Sequence, residues 1–450
     1  MERKEFLKKL FECAKDAGFE AYEAYFASGD SFSCEVFGGE VVDYSVSNTS
    51  GLSFRALIGG RMGYASTQAY DDDAIDMLIE GVRKNASVIE TDDEEFIYEG
   101  SASYETIDAY NPAIDAVPAS QRIEYAKAAE QTVLNKDPRV TQVEGAAYFS
   151  DSDEIRIVNS EGLDLSFRSN CYGAYTAPVA KDGEKTGIGM GIFFSRDPSA
   201  LDIEAIGKKA LDDALFTLDA ESVPSGEYKV AFLNKTAATL LATFTGVFNA
   251  KSAQKGLSLL KDKEGTVIAS PAVTLVDDPH GTVGLASRPF DDEGVATYKK
   301  NVIDGGTLTT LLHNLKTAKK QGVETTANAC KGGYAAPVGI APTNFYFAPG
   351  AVSFDELLKT MGDGLVITEL QGMHSGANQI SGDFSLSAKG YRVENGVKGR
   401  PVNQITVAGN FYQLLKDIVL FADDLEFRMP GASSFGSPTF LLNKMSVAGK

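Results

Sequence analysis

The chain has no tryptophan, four cysteines and three histidines in 450 residues. Cys13, Cys34, Cys171 and Cys330 stand far apart and form no C-x-x-C pair. That spacing excludes a disulfide-dense secreted scaffold and implies reduced, mostly buried thiols. His280, His313 and His374 share no helical-turn spacing and sit in no HExxH motif. A zinc site draws three or four N, S or O donors together, and this inventory offers no such helix. His313 reads as structural and His280 as part of a surface turn. Positive charge is also scarce, with 42 Lys and Arg against 62 Asp and Glu, a net charge of -20. Such a surface repels phosphate backbones, so no nucleic-acid partner is expected. The longest uncharged run, 332–354, is interrupted by Pro337, Pro342, Pro349 and several glycines. It cannot make a spanning helix, and the first ten residues carry charge without an apolar signal core. A cytoplasmic protein with no membrane association is expected.

What is present is the composition of a globular protein, 43% hydrophobic and 23% charged, long enough for two domains. Residues 5–17 place Phe6, Leu7, Leu10, Phe11 and Ala14 on one helical face, with Gly18 as the stop. Alternating strands follow at 22–26, 32–36, 42–46 and 52–58, and Gly59-Gly60 suits a hairpin. Asp71–Asp73 can cap the next helix. The order then repeats: a helix near 121–134, strands around 140–149, 154–158, 163–168 and 187–194, and a helix at 203–215. We therefore read the fold class as α+β, with an N-terminal domain 1–222 holding a helix–meander–helix unit used twice, at 1–90 and 118–217. An acidic, proline-containing connector, 87–120, lies between. Val223-Pro-Ser-Gly226 marks the start of a strand-rich C-terminal domain, 223–450, with antiparallel sheets, hairpins at 304–306 and 394–396, and short helices at 354–361 and 411–421.

Two segments carry candidate chemistry. Asp291-Asp292-Glu293 before Gly294 can bind a hard cation, grip a substrate amine or a partner's arginine, or form a solvated turn. Gly372-Met-His374-Ser375-Gly376 and Ser381-Gly-Asp383 are rich in small polar residues, so backbone amides can approach a ligand closely. No GK[ST] element follows to make a phosphate loop. A triad of Ser375, His374 and Asp383 would need close sequence neighbours to converge, which they rarely do.

Read in order, SRPFDDEGV at 287–295, SGDFS at 381–385 and NQITVAG at 403–409 resemble the C-terminal half of the TldD/PmbA family, whose best-known members form a heterodimeric zinc protease. GLSFRALIGGRMGYAS at 51–66 resembles the family's N-terminal strand signature. The resemblance implies that the GDFS segment, with Ser381 and Asp383, helps line an internal cavity. It also implies a zinc helix, HExxxH, shortly before a GxFN element. Here Gly246-Val-Phe-Asn249 supplies that element, and the matching positions are Ala237, Ala238 and Ala242. The family's third ligand is a cysteine before the last strand, and 423–436 contains none. The resemblance therefore implies the metal-free subunit type: no cofactor in this chain and zinc in a homologous partner. It implies a heterodimer with that partner, or a homodimer in its absence, enclosing a chamber that degrades unfolded proteins or trims peptides. Two rivals stand beside it: an interaction protein for a toxin, an antitoxin or gyrase (the family's older label is modulator of DNA gyrase), and a stand-alone hydrolase built on Asp291, Asp292 and Glu293.

Overall fold

Alternation of apolar and polar residues over the N-terminal part builds one large sheet. In the computed structural model, which describes residues 1–90 and 93–450, α1 (Arg3–Asp16) leads into β1 (Ala21–Phe37), β2 (Glu40–Ile58), β3 (Arg61–Thr67) and α2 (Asp72–Val88). Thr91 and Asp92, within the expected connector, lie outside the described residues. After the short α3 (Pro112–Asp115) come α4 (Ala119–Gln131), β4 (Val140–Asn159), β5 (Asp164–Asp182), β6 (Lys185–Ile188), β7 (Gly191–Ser195) and α5 (Ile203–Thr217). All seven strands join one sheet in the order β3-β2-β1-β4-β5-β6, with β7 also on β5. The antiparallel β1–β4 pair ties its two halves together.

The expected hairpin is present: Gly59 and Gly60 take φ of 58° and 75°, the left-handed values that glycine adopts without strain. Asp71 accepts the N–H of Ala74 at 2.9 Å, as a helix cap. Strands expected as separate pieces are continuous. β1 runs through Gly29-Asp30 because both its edges are paired there, Gly29 with Thr49 and with Asp153.

Side chains on one face of the sheet form the core under the helices. Ala24, Phe26 and Phe54 pack with α1 and α2, while Cys34, Tyr148 and Tyr172 pack with Ala126 of α4 and Ile206 of α5. At the far edge this layer has almost no thickness. A Cβ on Gly187, Gly189 or Gly191 would stand 2.1, 2.0 and 2.0 Å from the carbonyl oxygens of Ala214, Ala210 and Ile206. Two strand residues advance about 6.6–6.8 Å and four helix residues about 6.0 Å, so alternate glycines meet successive turns of α5. Gly189→Ala is expected to push α5 away and cost about 1–3 kcal/mol, read from a urea melt.

In the remainder, β8 (Gly226–Phe232) and α6 (Asn234–Phe244) are followed by α7 (Ala250–Gln254), β9 (Leu275–Asp277), β10 (Lys300–Asp304), β11 (Thr307–Leu308), α8 (Leu315–Gln321), β12 (Ala329–Cys330), β13 (Gly339–Ile340) and β14 (Asn344–Phe347). Then come α9 (Phe354–Met361), β15 (Gly364–Gln371), α10 (Met373–Gly376), β16 (Asp383–Glu394), β17 (Val397–Asn410), α11 (Phe411–Asp417), β18 (Ile418–Phe421), β19 (Glu426–Phe427), β20 (Ser434–Ser437) and β21 (Phe440–Ala448). Two six-stranded sheets result, β17-β16-β15-β8-β21-β18 and β11-β10-β9-β14-β20-β19. They are antiparallel apart from β8–β15 and β14–β20. α6 lies in the main core, where Phe244 stacks on Phe411 at 4.7 Å. The helix expected over 411–421 stops at Asp417, because Ile418–Phe421 pairs with β21 instead. Among the described residues no helix is long and apolar enough to cross a membrane.

A cavity walled by the large sheet and a buried charge network

The second face of the large sheet is not left to solvent. Tyr25, Ile157 and Leu163 pack there against Phe290, which comes from the C-terminal half. Beside this contact opens a cavity of about 690 Å³. One wall is the sheet: Tyr25, Ala27 and Gly29 of β1, Asp151, Asp153 and Ile155 of β4, and Phe167, Ser169 and Cys171 of β5. The other wall is C-terminal, made by 285–288, Asp292, 330–334 and 430–432. Tyr334 closes over Gly51, where a Cβ would meet its ring at 2.6 Å.

Asp291, Asp292 and Glu293 are buried rather than forming a solvated turn. Each carboxylate has a separate set of partners. Asp291 accepts the backbone N–H groups of Glu293, Val295 and Ala329 at 2.9, 3.0 and 3.0 Å. Asp292 accepts from the Tyr25 hydroxyl at 3.0 Å, from the Lys331 N–H at 2.7 Å and from the Arg288 guanidinium. Glu293 accepts the Leu315 N–H at 2.8 Å and lies 3.5 Å from Arg55, whose Nε donates to Glu23 at 2.8 Å. The acidic triplet thus stitches β1 and β2 to the C-terminal half, and Asp292 alone of the three reaches the cavity.

Burial sets the electrostatics. It raises the Asp291 carboxyl to about 7, helped by the negative charge of Glu293, and raises Glu293 against the pull of Arg55. Burial opposes the Arg55 charge, but Glu23, Tyr64 and Glu293 outweigh it and hold the guanidinium above its ordinary value. Lys331 donates to Ser53 at 2.6 Å and lies over the Tyr25 ring, and burial followed by Arg55 brings its ammonium down to about 8. On the sheet wall, Asp151 and Asp153 are open to the cavity yet crowded by protein, which raises both. Burial pushes Cys171 and Cys330 up to about 11 each. Both stay thiols near neutrality and are poor nucleophiles. The cavity therefore offers donors, acceptors and apolar surface, which suits binding more than bond breaking.

The second predicted segment lies elsewhere. His374, Ser375 and Gly376 form α10, with His374 and Ser375 exposed, and Ser381 and Asp383 lead into β16. Ser375 donates to the Gly372 carbonyl at 3.4 Å, and Asn410 donates to Asp383 and to the Ser381 carbonyl at 2.8 Å each. The bonds from Asn410 and Ser381 hold the Asp383 carboxyl below its usual range. Among the described residues no hydrogen bond links Ser375, His374 and Asp383, and none of the three lines the 690 Å³ cavity. This loop instead borders the end of α6, with Gln379 beside Gly246.

On α6 itself, Ala237 and Ala238 are buried in the core and Ala242 is half-buried. Their methyl groups supply no donor, and among the described residues no cluster of three or more His, Cys, Asp or Glu is arranged to hold a metal. The residues at these positions do not fit a zinc ion.

Three family models for PmbA/TldA metallopeptidases match the chain: domain 1 over residues 22–86, the central domain over 112–216 and the C-terminal domain over 225–449. The chain is 30% identical to the metalloprotease PmbA of Escherichia coli O157:H7 over 419 residues, covering 92% of this chain and 88% of that one. A PmbA homologue from Haemophilus influenzae is 28% identical over 91% of this chain and 88% of its own length. Among solved structures, a Thermotoga maritima protein described as a candidate modulator of a DNA gyrase superposes with a TM-score of 0.92 at 35% identity, covering 99% of this chain and all of that one. TldE from Thermococcus kodakarensis shares the fold, with a TM-score of 0.88 at 22% identity over 99% and 100% of the two chains.

Proposed function

The chain belongs to the PmbA/TldD metallopeptidase family, and from that premise we propose that it is the non-catalytic subunit of a TldD/TldE-type peptidase. It pairs with a zinc-bearing homologue in the cytoplasm and contributes a wall of the chamber that receives unfolded chains or peptides. The observation that carries this reading is the donor-free helix: Ala237, Ala238 and Ala242 stand where the family's resemblance places two histidines and a glutamate. This chain's own part is to bind and orient. The mixed lining of the cavity can hold an extended peptide through Asp151, Asp153 and Lys331, with Tyr334 closing over it. The committed partners of Asp291, Asp292 and Glu293 favour a scaffolding role over cation binding or stand-alone hydrolysis.

The test is to purify the chain alone and mixed with a zinc-bearing homologue, then measure zinc content and cleavage of an unfolded protein. Alone, it is expected to carry no stoichiometric zinc and to cleave nothing; the mixture is expected to cleave. Stoichiometric metal and cleavage by the chain alone would overturn the reading, and a stable but inert mixture would favour an interaction protein.

A further inference from the structure

The 690 Å³ cavity carries charges of opposite sign at a fixed spacing on one face of the large sheet. Tyr25, Ala27 and Gly29 alternate along β1, so all three face into it. Over Tyr25 lies the Lys331 ammonium, 4.4 Å from the ring centroid and 2.6 Å from the hydroxyl of Ser53, the residue paired with Tyr25 on β2. Over Gly29 lies the Asp153 carboxylate: the two residues are directly paired, and a Cβ on Gly29 would meet Asp153 Oδ1 at 2.8 Å. Four residues of strand separate Tyr25 from Gly29, which sets the two charges about 13 Å apart along β1. Between them the paired residues Ala27, Ile155 and Phe167 lay an apolar floor. Asp151, opposite Ser31, adds a second carboxylate two residues farther along. Neither charged end is satisfied within the chain. Among the described residues, the side chains of Asp151 and Asp153 take part in no hydrogen bond or ion pair. The Lys331 ammonium has a hydroxyl and a ring beside it but no ion-paired carboxylate. Burial holds the two carboxyls up and the ammonium down, as it does for charges without a counter-ion.

We propose that this cavity binds short peptides with both ends free, the terminal carboxylate on Lys331 and the terminal amine on Asp153. Three extended residues span about 10–11 Å. With a charge-assisted contact of about 2.8 Å at each end, set at an angle to the strand, they bridge the gap. A fourth residue carries the amine on towards Asp151, and six residues, at about 20 Å, overshoot both acids. The middle side chain rests on the row of Ala27, Ile155 and Phe167. An unfolded chain has no terminal charge along its length, so the site selects the small products of cleavage over the substrate. The inference rests on reading this cavity as part of a peptide chamber and adds which peptides it holds.

The test is calorimetric titration of the full chain alone with trialanine, with trialanine blocked by N-acetylation or by C-amidation, and with hexaalanine. Trialanine is expected to bind, and each block to weaken it roughly 10–100-fold, the worth of one hydrogen bond to a charged group. Hexaalanine is expected to bind no better than the blocked forms. Asp153→Asn is expected to weaken trialanine while leaving the acetylated peptide unchanged. Lys331→Met is expected to weaken trialanine while leaving the amidated peptide unchanged. Absence of trialanine binding, equal affinity for the blocked forms or for hexaalanine, or an Asp153→Asn loss that falls equally on free and acetylated peptide would overturn the proposal. Should Lys331→Met fail to fold, the blocked peptides and Asp153→Asn, a change open to the cavity, decide. The two readings fail separately: cleavage in the mixed sample judges the subunit role, and discrimination between free and blocked ends judges this site.

Discussion

Arg55→Ala is expected to destabilise the protein by about 3–5 kcal/mol, the cost of stripping one partner from a buried ion pair. Arg55 is 6% exposed and lies between Glu23 and Glu293, which are 2% and 5% exposed. Its removal leaves two carboxylates buried without a cation, and Asn159 at 3.4 Å gives Glu23 only a weak remaining bond. The effect should shrink when Glu23→Gln and Glu293→Gln are added, since the charges that needed Arg55 are then gone. Denaturant melts of the single and combined variants measure this. An Arg55→Ala loss below about 1 kcal/mol, in the range of exposed pairs, would mean that the network is hydrated.

The second large effect is a dependence on pH. Asp291 has its carboxyl raised to about 7 in the folded chain, against 3.8 as its ordinary value. Between those values the folded state holds a proton that the unfolded state has released. The contribution of Asp291 to stability is therefore complete below about pH 4, falls as the pH rises towards 7, and is flat above it. Each unit of difference is worth about 1.4 kcal/mol, so the span amounts to a few kcal/mol. Because other carboxylates titrate in the same window, the quantity to measure is wild type minus Asp291→Asn. That difference should slope downward from pH 4 to 7, and a flat or rising difference would place the ionised form of Asp291 in the folded state throughout. The three N–H groups around Asp291 make the asparagine variant less stable overall, and because the Asp291 and Glu293 carboxyls oppose each other's ionisation, the slope reports the titration of the pair.

Local chemistry made much of the fold legible. The alternation of Ala24 and Phe26, the Gly59-Gly60 turn, the Asp71 cap and the helix over 354–361 are each dictated by residues close in sequence, and each is present. Features that depend on distant partners were not legible. The break expected near Gly29 does not occur because β2 and β4 flank it, and 418–421 became a strand because β21 was available. The candidate site divided in the same way. Asp291–Glu293 stood out as a run of acids, but their burial depended on β1 and β2 arriving over them. Arg55 and Tyr25 went unmarked because they alternate with core residues and read as the solvent side of a strand. The one available signal was a charged residue, Arg55, placed between Phe54 and Ala56 in a strand with no other charge from Leu52 to Ile58.

The seam between α5 and the glycines at 187, 189 and 191 has a consequence for how this region can change. Side chains there are absent on one parity only: Thr186, Ile188 and Met190 point the other way along the strand. Deleting or inserting a single residue between 187 and 191 exchanges the two parities. A methionine or isoleucine would then face the backbone of α5 where hydrogen atoms now sit. This short stretch therefore acts as a ruler that tolerates changes at Thr186, Ile188 and Met190 but not a change in its count, even though it lies at the edge of the sheet.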